Sequence, residues 1–233
     1  MMRRFSVLIA FTLLLCGCGD TAAENEFNKG VRFGEGEDWD VSIACFTEAI
    51  RLQPDYADAY NGRGVGYSSK GESDKAMKDF TEAIRLKPDN GKFYYTRGCS
   101  YEIKGEYDKA TKDFSEAIRL NAEDHKGDSL VMAAYRSRGF AYFRKDEHDK
   151  AIADFTEAIR LEPNVSGAYS GLGDAYSGKG EYDKAIKEYS EAIRLDPDNE
   201  FVYLLRGAAY DYKGDQTKAL ADFAKAKEVG AKK

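Results

Sequence analysis

The sequence predicts an all-helical solenoid (an α-α solenoid) of six helix-turn-helix repeats. A seven-residue phrase recurs as FTEAIRL, FSEAIRL or YSEAIRL, and successive occurrences begin 34, 34, 41 and 34 residues apart. Each repeat also carries two apolar stripes at helical spacing, separated by a turn such as Lys104-Gly105, where the glycine ends the helix. A single helix pair cannot bury both of its apolar faces, so the repeats are expected to stack on one another.

Small and aromatic residues occupy fixed positions in every repeat. The small residue of the first helix is Gly30, Gly64, Gly98, Gly139, Gly173 or Gly207. The aromatic residue of the second helix is Phe46, Phe80, Phe114, Phe155, Tyr189 or Phe223. A proline closes four of the repeats, at Pro54, Pro88, Pro163 and Pro197. Small residues allow the two helices of a hairpin to approach closely, and the proline cannot continue the second helix.

This pattern extends over about 210 residues and resembles the tetratricopeptide repeat (TPR). The resemblance implies a right-handed superhelix in which the first helices line a concave groove for protein partners. A TPR domain is predicted at 23–233, and a seven-residue insert at 125–131 interrupts it. The predicted repeats are 23–56, 57–90, 91–124, 132–165, 166–199 and 200–233. The insert is either a plain loop or the early start of the next helix, capped by Asp128 or Ser129.

The N-terminus resembles a bacterial lipoprotein signal peptide. Arg3 and Arg4 precede an apolar run at 5–15, which is shorter than the about 20 residues that span a bilayer. The sequence Leu15-Cys16-Gly17-Cys18 resembles the lipobox, with an aliphatic residue at −3, a small residue at −1 and then the cysteine that is lipidated. A plain secretory signal with two incidental cysteines is the alternative.

The lipobox implies that Cys18 becomes the first residue and carries a diacylglyceryl thioether and an amide-linked acyl chain. Two or more chains anchor a protein stably, whereas a single chain binds a membrane only marginally. We therefore expect a cleaved signal peptide at 1–17, a lipidated cysteine with a short tether at 18–22, and a location in the bacterial cell envelope. The chain would be lipid-anchored to a membrane and face away from the cytoplasm.

The sequence shows little that favours other functions. The formal net charge is −6 and no block of Lys or Arg occurs, so nucleic acid gains no electrostatic support. No Cys-x-x-Cys or His-x-x-x-His pair offers metal ligands, and neither a serine nucleophile motif nor a phosphate-binding loop is present. His148 stands where other repeats carry Trp39, Tyr107 or Tyr182, so it is predicted to pack. We expect no enzymatic activity, cofactor, metal or small-molecule substrate.

The groove positions that the resemblance implies are the second, fifth, ninth, twelfth and thirteenth residues of each repeat. In the middle of the array these positions become apolar and basic, and they form the predicted protein-binding site: Tyr95, Cys99, Ile103, Arg136, Phe140, Phe143 and Arg144. Aromatic residues beside arginine are typical of binding hot spots. The alternative is that superhelical curvature buries these side chains against neighbouring helices.

These observations predict a membrane-anchored scaffold or adaptor that gathers client proteins in the cell envelope, similar to TPR lipoproteins that organise cell-wall hydrolases. One alternative is an assembly factor similar to the pilotins of a pilus or secretion channel, which share the lipid-anchored, six-repeat layout. Another is a structural protein that self-associates through its end hairpins. Lys227 argues mildly against this last alternative, because it places a charge where the other repeats carry isoleucine.

Overall fold

The computed structural model describes residues 21–121 and 129–231, which form helices joined by short turns, with no β-strand in these two segments. Twelve helices lie there: α1 (Ala22–Glu35), α2 (Trp39–Leu52), α3 (Ala57–Ser69), α4 (Ser73–Leu86), α5 (Gly91–Ile103), α6 (Tyr107–Asn121), α7 (Ser129–Phe143), α8 (His148–Leu161), α9 (Ser166–Gly178), α10 (Tyr182–Leu195), α11 (Glu200–Tyr212) and α12 (Gln216–Gly230). The predicted all-helical fold of helix-turn-helix pairs is confirmed. The predicted signal peptide and Cys18 lie outside the described residues.

The helices divide into two compact units, one ending at Asp89 and the other beginning at Asn90. In the first unit α1 packs on α2 and α3 on α4, while α2 contacts α3. In the second unit each of the four hairpins packs internally, and the second helix of one hairpin contacts the first helix of the next. The first helices α5, α7, α9 and α11 also contact one another in series. Stacking of hairpins therefore holds each unit together, as expected for repeats.

Helix α1 begins with a capping box at Thr21. The Thr21 hydroxyl accepts a hydrogen bond from the Glu24 backbone N–H at 3.1 Å, and the Glu24 carboxylate accepts one from the Thr21 N–H at 2.6 Å. This reciprocal pair satisfies two backbone donors that the first helical turn leaves without partners. The chain is therefore helical from four positions after Cys18.

Helix α7 begins at Ser129, so the last three residues of the predicted insert belong to its first turn. Val131 is only 5% exposed and packs in the interior. The fourth repeat thus starts early, which was one of the two alternatives for the insert. Residues 122–128 lie outside the described part of the chain.

The contact between the two helices of each hairpin depends on glycine. A Cβ atom added to Gly98 would lie 2.8 Å from the ring of Phe114, which is fully buried. A Cβ atom added to Gly64 would lie 2.7 Å from the Phe80 ring, and one added to Gly173 would lie 2.6 Å from the Tyr189 ring. Real Cβ atoms do not approach a ring this closely, so each aromatic side chain fills the space that the absence of a side chain creates.

No helix in segments 21–121 and 129–231 has both the length and the apolar character needed to cross a bilayer.

We predict that Gly98→Leu lowers the stability of the protein by about 1–3 kcal/mol, because the added side chain overpacks the contact with Phe114. Thermal unfolding followed by circular dichroism measures the effect. Lys112→Leu, an exposed substitution on the facing helix α6, serves as the control and should change the midpoint little. Equal midpoints for Gly98→Leu and the wild type would show that the assigned helix contact is wrong.

Candidate protein-binding groove

The predicted binding residues lie on two neighbouring first helices of the second unit. Those on α5 are Tyr95, Cys99 and Ile103. Those on α7 are Arg136, Phe140 and Phe143, and Arg144 follows the helix directly. Because α5 contacts α7, the structure places the two sets side by side. We call this surface the central strip.

The residues of the central strip differ in how far they reach solvent. Ile103 is 78% exposed, and Arg144 is also exposed. The others are half-buried: Tyr95, Cys99, Arg136, Phe140 and Phe143. The strip is therefore a partly buried aromatic layer with an exposed aliphatic and an exposed basic side chain at its edge.

Each aromatic ring of the strip packs against an aromatic residue of a second helix. Tyr95 lies 5.8 Å from Phe114, measured between ring centroids. Phe140 makes an edge-to-face contact with Phe155 at 4.9 Å, and Phe143 lies 5.7 Å from His148. Such pairs add to the stability gained from burial alone. The rings are thus partly buried against second helices and partly exposed, and their role in binding stays a prediction.

The charged side chains of the strip interact with an aromatic ring and with a nearby carboxyl group. The Arg144 guanidinium lies 5.5 Å from the centre of the Tyr107 ring, within the range of a cation–π contact. Burial raises the pKa of the Glu102 carboxyl, while the nearby Arg144 and Arg136 lower it. Burial also raises the pKa of the Cys99 thiol to about 11, so this thiol stays protonated at neutral pH and is a poor nucleophile.

Four repeats contain an interhelical ion pair that the sequence interpretation missed. An arginine on the first helix donates two hydrogen bonds, at 2.7–2.9 Å, to a buried aspartate 16 residues later on the second helix. The pairs are Arg63–Asp79, Arg97–Asp113, Arg138–Asp154 and Arg206–Asp222. The signal was present, since Arg at the seventh position and Asp at the twenty-third occur together in these four repeats. These charges satisfy one another inside the hairpin.

The fifth repeat has no such pair, because Leu172 and Glu188 occupy the two positions. It carries a different carboxylate, Asp174, at the ninth position of the repeat. Here the second-helix aromatic is Tyr189 instead of phenylalanine, and its hydroxyl donates a hydrogen bond to Asp174 Oδ1 at 2.8 Å. The exchange of Phe for Tyr therefore supplies a donor where this repeat places a carboxylate in the groove.

Asp174 opens into a cavity of about 310 Å³. The lining residues are Phe143, Asp174, Ser177, Gly178, Tyr182, Tyr189, Leu205 and Tyr212. The rings of Tyr182 and Tyr212 stack nearly parallel, with centroids 5.2 Å apart. Burial raises the pKa of Asp174 to about 6, while the hydrogen bond from Tyr189 lowers it. We call this the Asp174 cavity. The sequence interpretation placed Asp174 among the groove positions but did not single it out.

The described residues contain no group of three or more His, Cys, Asp or Glu arranged to hold a metal ion. His148 packs beside Phe143, and a Cβ atom added to Gly178 would lie 2.6 Å from its ring. The close packing agrees with the structural role predicted for this histidine.

We predict that Arg138→Leu lowers stability by about 3 kcal/mol, because it leaves the buried Asp154 carboxylate without its partner. Arg160→Leu removes the same charge from an exposed pair with Glu157 and should cost less than about 1 kcal/mol. Urea unfolding of both variants measures the difference. Equal losses would show that burial of Asp154 carries no special cost.

We predict that Asp174→Asn stabilises the protein near neutral pH but not in acid. The folded pKa of Asp174, about 6, exceeds the unfolded value of about 3.9, so ionisation favours the unfolded chain. As the pH rises from about 4 to about 6, the free energy of unfolding of the wild type should therefore decrease. The asparagine variant should not show this decrease. Thermal melts across that range, with the exposed Asp198→Asn as a control, measure it. Parallel pH profiles for wild type and Asp174→Asn would contradict the assignment.

Family models match three of the predicted repeats and a segment that crosses from the fifth into the sixth. A tetratricopeptide repeat model matches residues 57–90 and 133–165, a second tetratricopeptide repeat model matches 91–124, and a TPR repeat model matches 178–214. No curated protein matches the chain.

Several solved structures are similar to the chain. A crystal structure of MamA is 30% identical, with a TM-score of 0.65, and the alignment covers 72% of this chain and 95% of MamA. PilW, described as a widely conserved type IV pilus biogenesis factor, is 16% identical with a TM-score of 0.79, covering 88% of this chain and 91% of PilW. YrrB, described as a TPR protein with an unusual peptide-binding site, is 24% identical with a TM-score of 0.63, covering 79% of this chain and 91% of YrrB.

The likenesses to PilW and YrrB show the fold alone. The MamA identity and the family models show more, because they match this sequence directly over several repeats. TPR proteins are generally non-catalytic modules for protein interaction. The chain belongs to the tetratricopeptide repeat family.

Proposed function

We propose that the protein is a membrane-anchored scaffold of the bacterial cell envelope, which binds client proteins along the groove formed by its first helices. The observation that carries the proposal is the central strip. There Ile103 is 78% exposed beside half-buried aromatic rings and the exposed Arg144. A large aliphatic side chain that stays in water adds no hydrophobic stabilisation to the fold. If a partner covers it, its burial contributes to the free energy of binding.

The surroundings of Ile103 suit binding because they are already rigid. Phe140 and Tyr95 are fixed by their ring contacts with second helices, and Arg144 is held over the Tyr107 ring. Side chains that are fixed before binding lose little conformational entropy when a partner arrives. Arg136 and Arg144 outnumber Glu102, so a client segment with an apolar side chain next to a carboxylate matches the strip in polarity and charge.

The proposed anchor is the lipid on Cys18, inferred from the lipobox at 15–18. The capping box at Thr21 starts α1 four positions later. Only residues 19–21 would separate the lipidated cysteine from the first helix, so the first unit would lie close to the bilayer surface. A tether this short would restrict client binding to proteins that are themselves near the membrane.

Protein or peptide clients are also consistent with the known relatives. YrrB, which shares the fold, is described as having a peptide-binding site. The family as a whole supports a protein partner, and the central strip supports the place where it would bind.

We predict that Phe140→Ala/Phe143→Ala/Arg144→Ala loses a specific set of envelope proteins in affinity capture from crosslinked cells, because it removes two of the three aromatic rings and the basic edge of the strip. Mass spectrometry of the captured proteins, with the lipidated wild type as reference, provides the measurement. The control is Thr156→Ala/Arg160→Ala, which alters exposed positions on the second helix α8. Capture of the same proteins by wild type and the strip variant, or of none by either, would show that the strip is structural.

A pilotin-like assembly factor for a pilus or secretion channel is the second candidate. It is favoured by the similarity to PilW, with a TM-score of 0.79 over 88% of this chain. Deletion of the gene separates the two: defective pilus or channel assembly would favour the assembly factor, whereas altered cell-wall hydrolase activity would favour the scaffold. Self-association through the end hairpins stays a prediction.

A further inference from the structure

We propose that the Asp174 cavity is a subsite for a basic side chain, arginine or lysine, of the bound client. The proposal rests on the proposed function, since it names a chemical feature of the client. It concerns a different part of the groove from the central strip, formed by α9, α10 and α11 with Phe143 at the end of α7.

The carboxylate of Asp174 is positioned but not neutralised. Tyr189 donates to Oδ1, and within the described segments Asp174 makes no ion pair and accepts no other hydrogen bond. A carboxylate has about four lone-pair sites, so Oδ2 and part of Oδ1 stay available to a donor. The Tyr189 hydroxyl also fixes the orientation of the group, which favours a partner with defined geometry such as a guanidinium.

The walls of the cavity suit a cation as well. The stacked rings of Tyr182 and Tyr212 border the opening, and Phe143 adds a third aromatic side chain. Aromatic faces attract cations, and the attraction is greater where water is partly excluded. Ser177 adds a hydroxyl that can accept a hydrogen bond from an ammonium or guanidinium group. Tyr212 is 73% exposed, so a ligand can enter from solvent.

Charge balance points to a partner from outside the chain. In four other repeats the first helix carries an arginine that pairs with an aspartate of the second helix, but here those two positions hold Leu172 and Glu188. Helix α9, which carries Asp174, therefore contains no Lys or Arg. None of the residues lining the cavity is Lys or Arg. The half-buried carboxylate thus carries an unfavourable desolvation that a bound cation would offset, in agreement with its raised pKa. Phe143 belongs to both the strip and the cavity, so one client segment can reach both.

The test uses N-acetyl-L-arginine methylamide as the probe, with N-acetyl-L-citrulline methylamide as its neutral counterpart. Saturation-transfer NMR measures their binding to the full lipidated chain in detergent, for the wild type, Asp174→Asn and Asp198→Asn. Asparagine at position 174 keeps an oxygen that accepts the hydrogen bond from Tyr189. The Asp198→Asn control removes the same charge at an exposed position elsewhere. We expect the arginine probe to bind the wild type and Asp198→Asn with equal affinity. Its affinity for Asp174→Asn should be lower by roughly tenfold or more. The citrulline probe should bind none of the three proteins.

A second variant tests the aromatic wall independently. Tyr212→Leu removes the outer ring of the stacked pair without changing the charge. It should also lower the affinity for the arginine probe. Equal binding of the arginine probe to wild type and Asp174→Asn, equal binding of the two probes, or no binding to wild type would each overturn the proposal.

The capture experiment separates this subsite from the proposed function. If clients are lost only from the strip variant and the arginine probe fails, the subsite is wrong and the scaffold stands. If the arginine probe binds through Asp174 but neither the wild type nor the strip variant captures clients, the cavity is a cation site and the proposed scaffold function is wrong.

Discussion

The close approach of the two helices within each hairpin is the constraint on which the rest of the structure depends. Glycine at the first-helix position lets a buried aromatic ring from the second helix lie where a side chain would otherwise stand, as Gly98 and Phe114 show. This contact fixes which face of the first helix turns inward. The groove positions lie on the neighbouring face, so that Tyr95 packs on the same Phe114 ring and also reaches solvent. The position of the proposed groove is thus a consequence of how the hairpins pack.

Functional candidates appear where one repeat departs from its neighbours. The interhelical ion pair joins the two helices of four hairpins, and its charges satisfy one another inside the hairpin. The fifth repeat replaces the arginine with Leu172 and places Asp174 in the groove with Tyr189 beneath it. A carboxylate held this way destabilises the free protein slightly. Local departures that carry such a cost are common at binding sites.

The fold could be predicted from the sequence because glycine, aromatic and proline positions recur at a fixed spacing and each has a steric consequence. The partial burial of Phe140 and Phe143 could not be predicted, because it depends on how neighbouring hairpins pack against each other. The early start of α7 was only one of two alternatives. The Asp174 cavity combines side chains from four helices, and its shape depends on ring stacking between Tyr182 and Tyr212. The spacing of residues along the sequence does not show which side chains of different helices line such a cavity.

Clients are expected to bind the face formed by the first helices. Photocrosslinking in living cells tests it most directly, with p-benzoylphenylalanine placed at Ile103 on α5 or at Ala153 on the second helix α8, both exposed. The groove model predicts a defined crosslinked client from position 103 and none from position 153. Crosslinks to the same client from both positions, or only from position 153, would contradict it.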